Sequence, residues 1–236
     1  MTKSFELNVP TSLNHITLGQ YQEYLVLVKD KENVDDKMMI DTICLFCNIE
    51  KEKVLTIAYG DVKEIYVHLM SLFENHTPLI REFTLKDLKD KHVTFAFVPK
   101  LEDMTMGEFV DLDHNIKDLD NMHKAMSVLY RPLLFRRKDL YEIKPYLADE
   151  EISKAFKYMP LDVALGAMVF FYRLGKELAQ YTMDCLLQQA QKEEAPIRKA
   201  LEKNGVGINQ FTHSLKEMSD TLMRLPNSHF SNAYYG

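Results

Sequence analysis

The sequence predicts a mainly α-helical chain with a few short β-strands, an α+β protein. It consists of an internally duplicated strand–helix–helix–helix unit followed by a helical C-terminal extension. Three observations carry this reading. The phrase ITLGQY at 16–21 returns as MTMGEF at 104–109, each time behind an aromatic residue and a Val-Pro step. Apolar residues downstream of each phrase recur at helical spacing. Only eight Gly and eight Pro punctuate 236 residues, which leaves room for long regular elements.

Each phrase reads as a helix start. Thr17 with Gln20, and Thr105 with Glu108, have the spacing of a capping box, in which the hydroxyl takes the third amide and the longer side chain returns to the cap amide. The first helix carries Leu18, Tyr21, Leu25 and Val28 on one face; the second carries Met106, Phe109, Leu112 and Ile116. Upstream, SFELNVP and VTFAFVP read as short strands closed by Pro, which cannot continue a ladder. Charged connectors at 29–36 and 117–121 lead to two almost wholly apolar helices, 38–49 and 122–133, the second ended by Pro132. Each half closes with a helix whose Asp, Asp61 or Asp162, reads as its cap.

The resulting organisation is a first unit at 1–76, a linker at 77–91, and a second unit at 92–180 with an insertion at 131–160. Residues 181–236 form a helical extension and aromatic tail. Within the insertion, LLFRRKDLYEI reads as a hairpin with a polar turn, and ADEEISKAF as a short helix with acids in its first turn. In the extension, residues 209–225 place Phe211, Leu215, Met218 and Leu222 on one helical face. Phe230, Tyr234 and Tyr235 follow in a tail that either folds back on its own domain or docks on a neighbour. The reading adopted is a contact with a neighbour, because buried aromatic anchors dominate interface energies.

The composition, 46% hydrophobic and 27% charged, suits a globular chain with a sizeable core. A net charge of −6 gives no global basic field and disfavours nucleic acid as a partner. Three Cys without an apolar leader point to a reducing compartment. The longest apolar run, Val163–Phe171, is far short of the roughly 20 residues that cross a bilayer, so it reads as a buried helix and no membrane is expected.

No catalytic, cofactor or metal residue is assigned. Cys44 and Cys47 form a C-x-x-C inside an apolar helix and read as buried, reduced, structural thiols; a zinc site would need a second pair. His114 and His123 lie near Asp111, Asp113, Asp118 and Asp120 but lack a ligand spacing, and read as a solvated connector. Phosphate loops, nucleophile elbows and zincin motifs do not occur. Arg131, Arg136, Arg137 and Lys138 form the one basic cluster, read either as a solvated hairpin tip or, through Arg136 and Arg137, as a contact for an acidic protein partner.

MTMGEFVDLDHNI, followed by NMHKAMSVLYRPL, YEIKPY and MPLDVALGAMVFFYRLGKEL, resembles a family encoded among the structural genes of tailed bacteriophages. ITLGQYQEYLVLV through IDTICLFCNI is distantly similar to phage baseplate-hub and tail-assembly proteins. The resemblance covers about 1–180 and implies a non-enzymatic virion protein of tail, baseplate or connector. It would be assembled in the host cytoplasm and bind other phage structural proteins or copies of itself. A tail-assembly chaperone that binds the tape-measure protein and leaves before maturation is the alternative. An enzyme is a third class, for which the sequence offers no converging acids or histidines.

Overall fold

A computed structural model describes residues 5–29, 34–74, 77–86, 92–138 and 140–192 of the chain. Its architecture is mainly α with one antiparallel sheet, as the sequence predicts. Four helices come first: α1 (Leu18–Val28), α2 (Asp36–Cys47), α3 (Lys51–Val54) and α4 (Tyr59–Ser71). Strands β1 (Glu82–Lys86) and β2 (His92–Phe97) follow, then α5 (Met106–Ile116) and α6 (Met122–Leu129). The hairpin β3 (Tyr130–Arg137) and β4 (Leu140–Ile143), the short α7 (Glu150–Ala155) and the long α8 (Leu161–Lys192) complete the described chain.

Both capping boxes form. Thr17 N donates to Gln20 Oε1 at 2.9 Å and Gln20 N to Thr17 Oγ1 at 3.2 Å. Thr105 N donates to Glu108 Oε2 at 2.7 Å and Glu108 N to Thr105 Oγ1 at 3.3 Å. Each cap starts a helix of 11 residues. In each half a second helix and a later helix with an Asp in its first turn follow the capped one, but the strand expected before the first cap is not there. Residues 5–10 form no strand; the Pro10 carbonyl instead accepts His68 Nε2 of α4 at 2.9 Å. The segment expected as a linker, 77–91, contains β1, which pairs with β2 from Glu82↔Ala96 to Lys86↔His92. Among the described residues of the first half no strand precedes the helices, and α1–α4 run in succession.

Three expected boundaries move. α6 ends at Leu129, before Pro132, because a residue preceding Pro is pushed out of the helical region. Pro132 enters β3 opposite Phe95, and its carbonyl accepts Lys144 N at 2.9 Å. Asp61 and Asp162 sit in the first turns of α4 and α8 rather than at their caps, where a carboxylate still favours the helix N-terminus. The expected hairpin and short helix in 131–160 are present; Lys138 takes a left-handed φ of 54° at the turn, and Asp149 caps α7 through bonds from Glu151 N and Ile152 N. The segments holding Phe211, Leu215, Met218, Leu222, Phe230, Tyr234 and Tyr235 lie outside the described residues.

The core is continuous across both halves. On the helical side, Tyr21, Tyr24, Phe46 and Phe73 pack as one aromatic group, with Tyr21–Phe73 centroids 5.7 Å apart. On the sheet side, Phe83 and Phe95 stack at 5.6 Å and Phe156 meets Phe95 edge-on at 5.1 Å. Such geometry adds about 0.5–1.5 kcal/mol per pair beyond area burial. The starts of α1 and α8 are joined by a short antiparallel bridge: Leu18 N donates to Met159 O and Leu161 N to Ile16 O, both at 2.9 Å. The apolar run of α8 is buried at Val163, Ala164, Leu165, Ala167, Met168 and Val169. Gly166 lies among them because any Cβ there would overlap the Pro78 carbonyl.

Candidate functional site

The two capped helices have the same cap and the same length, but their first turns meet solvent differently. Leu18, Tyr21 and Gln22 of α1 are 1%, 0% and 8% exposed. The residues at the same helical positions of α5, Met106, Phe109 and Val110, are 75%, 56% and 51% exposed. Three of the four residues that α1 buries have exposed counterparts on α5; the fourth, Tyr24, corresponds to Leu112, which is buried as well. α5 is held by a different stripe: Glu108, Leu112 and Ile116 are its buried residues. At about 100° per residue, Met106 lies about 120° around the helix from Leu112. The expected stripe of Met106, Phe109, Leu112 and Ile116 therefore splits, with Leu112 and Ile116 in the core and Met106 and Phe109 outside.

A second apolar surface lies on the neighbouring hairpin, where Leu134, Phe135 and Leu140 are exposed. Arg131, at the base of β3, is buried and turns towards α5, where its Nη1 meets Glu108 Oε1 at 2.8 Å. Arg131 Nε is buried without a partner. A second tie runs from the segment after β4, whose Tyr146 hydroxyl donates to Asp111 Oδ2 at 3.0 Å. Burial first, and then that bond, push the Tyr146 hydroxyl up to about 12.

The hairpin also turns back over the sheet. Glu82, Ala96 and Arg131 lie level across β1, β2 and β3. In a flat sheet Arg136, five residues beyond Arg131, would stand about 16 Å from that level. Yet Arg136 Nη1 reaches both oxygens of Glu82 at 2.6 Å, and the Tyr141 hydroxyl donates to Phe97 O at 2.6 Å. The register irregularity between Leu133 and Phe135 is where the strand changes direction.

The expected basic cluster is thus divided. Arg131 goes inward to Glu108 and Arg136 pairs with Glu82, while Arg137 and Lys138 are exposed at the turn. The sequence reading missed Val110, Leu134, Phe135 and Leu140. The signal for Val110 was present: Phe109 and Val110 are adjacent, and with Met106 they make an apolar band too wide for one buried stripe.

The capping residues Gln20 and Glu108 each do a second task. Gln20 Nε2 donates to Leu45 O of α2 at 2.8 Å, so the amide joins α1 to the next helix. Glu108 instead needs a second carboxylate oxygen for Arg131. The choice of Gln in one phrase and Glu in the other follows from these partners.

The cysteine and histidine expectations need two corrections. Cys47 is buried, with its thiol pushed up to about 11 by burial and then by Cys44. Cys44 is only half-buried, because its side of α2 lines an open cleft with Gln20, Glu23, Leu27, Asp41 and Lys51. Burial, followed by Asp41, raises its thiol as well. His114 is exposed on α5, but His123 is buried beneath α1 instead of belonging to a solvated connector. Among the described residues no three His, Cys, Asp or Glu side chains converge as a metal site, and no helix is long and apolar enough to cross a membrane.

Comparisons with protein-family models, with curated proteins and with solved structures return no match for this chain.

Proposed function

We propose that the protein is a non-enzymatic structural component of a tailed-phage virion, in tail, baseplate or connector, and that it acts through protein–protein contacts made by α5 and the β3–β4 hairpin. The observation that carries the reading is the exposure of Met106, Phe109 and Val110 at positions whose counterparts on α1 are covered by the chain itself. Contiguous apolar surface of this kind marks interaction sites. The buried Glu108–Arg131 pair supports it by fixing the helix and the hairpin relative to each other, so that a partner meets a pre-organised surface. The resemblance of residues 1–180 to phage structural proteins supplies the class of partner: other virion proteins, or copies of this chain.

A tail-assembly chaperone for the tape-measure protein is the second reading, because an exposed apolar helix face also suits transient capture of an amphipathic helix. Mass spectrometry of purified particles separates the two. The chain present in fixed ratio to the other tail proteins supports the virion reading; its absence from mature particles, with retention in tail-assembly intermediates, supports the chaperone. Absence from both overturns the phage assignment.

A further inference from the structure

Gln22 and His123 meet in the buried seam between α1 and the start of α6. Gln22 Nε2 donates to Leu119 O at 2.6 Å and to Asp120 O at 3.0 Å, and lies 3.3 Å from His123 Nδ1. The two carbonyls decide which way the amide faces, since turning it would set Gln22 Oε1 against two oxygens. Gln22 Oε1 itself is buried without a partner. His123 Nδ1 therefore meets an amide nitrogen that can only donate, and a proton on Nδ1 would have to compete with Gln22 for the Asp120 carbonyl.

We propose that the Gln22–His123 contact is an acid-sensitive latch: protonation of His123 in mildly acidic solution places two donors face to face and releases α1 from the Leu119–Asn121 turn and α6. The surroundings favour the neutral ring. The cations acting on it are Lys157, in the turn after α7, and Lys124 on its own helix, while the Asp120 carbonyl opposes them. Of the other elements packed on α6, α5 and β3 share the Glu108–Arg131 pair, α5 also carries Asp111, bonded to Tyr146, and Asp113, paired with Lys117, the Leu119–Asn121 turn carries Asp120, and α7 carries Glu151 beside the Glu150–Lys154 pair. Burial first, then the two lysines, lower the His123 imidazole below its ordinary value. A group held neutral in the folded state contributes stability that is present above its unfolded value, about 6.5, and lost as pH falls below it. The latch concerns the α1–α6 seam and does not depend on the virion assignment.

The test uses the full chain. Imidazole proton resonances followed from pH 8 to 4.5 should show His123 titrating below the ordinary histidine value, about 6.5. Hydrogen exchange, corrected for intrinsic rate, should show amides 21–28 of α1 losing protection between pH 7 and pH 5 while those of α4 keep theirs. In His123→Gln, the fall in melting temperature between those pH values should be smaller than in wild type by roughly 2–4 °C. Should that variant not fold, the two wild-type measurements decide. His123 titrating at the ordinary value, or α1 protection falling in step with α4, overturns the latch.

Discussion

Glu108 closes the cap of α5 with one carboxylate oxygen and holds Arg131 at 2.8 Å with the other, so a single side chain both starts the helix and fixes it to β3. Replacing Glu108 with Gln preserves the capping box in principle but leaves a buried guanidinium without its counter-charge, and one Arg131 nitrogen already lacks a partner. Removing one member of a buried pair costs about 3–5 kcal/mol. Glu108→Gln should therefore lower stability by about 3 kcal/mol in urea unfolding. Gln20→Glu, the reverse exchange, should also destabilise, because its carboxylate would face the Leu45 carbonyl instead of donating to it. A neutral result in either swap would show that the second partner contributes nothing.

The glycine of the repeated phrase should respond differently in its two copies. A Cβ on Gly107 meets nothing within 4 Å, so Gly107→Ala should stabilise α5 by about 0.5–1 kcal/mol. A Cβ on Gly19 would lie 3.1 Å from Lys157 O and 3.2 Å from Lys157 Cβ, so Gly19→Ala should lose that gain or reverse it. Gly166→Ala, which drives a methyl into the Pro78 carbonyl, should destabilise by about 1–3 kcal/mol. Thermal unfolding of the three variants gives the order directly.

Met106→Glu and Phe109→Glu should leave the isolated chain within about 0.5 kcal/mol of wild type, since both side chains are exposed. On the proposed virion reading, incorporation into particles, read by complementation and mass spectrometry, should fail. Tyr21→Ala, at the position corresponding to Phe109, should cost about 3–5 kcal/mol because Tyr21 is fully buried. Normal incorporation of the double charge variant would remove α5 from the contact surface.

Cys47, with its thiol pushed up to about 11, is about one-thousandth thiolate at pH 8. In a Cys185→Ser background, native chain should react with a thiol reagent slowly at half-buried Cys44 and not at Cys47. Denaturant should expose both. The sign follows from the raised values: reaction quickens as pH rises towards 11 and slows as it falls. Rapid labelling of Cys47 in native protein would place it at the surface.

The helices and caps were legible because their signals are local: Thr17 and Gln20, or Thr105 and Glu108, fall within one turn of each other. The hairpin at 130–143 was legible for the same reason. β1 was not, because Glu82–Lys86 becomes a strand only through pairing with β2, and the short run before Thr17 shares the spelling of β2 without a partner strand. The outward face of α5 was misread because periodicity gives the angle of an apolar stripe but not which stripe is covered. Leu112 and Ile116 are covered because α5 packs on α6 through that side, where Glu108 also meets Arg131. His123 looked solvated beside its acids because Gln22, which buries it, lies on another helix, 101 residues away in sequence.

The bridge between Ile16–Leu18 and Met159–Leu161 also sets an order of events during synthesis. The Leu18 amide has its acceptor on Met159, and the Ile16 carbonyl has its donor on Leu161. A nascent chain can cap α1 as soon as Gln20 has emerged, but that helix cannot be seated until residue 161 exists. At about 5–20 residues per second the delay is roughly 7–30 s. Tyr21 can meet Tyr24 and Phe73 as soon as α4 has emerged, but throughout the rest of that interval the Leu18 amide and the Ile16 carbonyl wait for the strand partner that the end of the chain supplies.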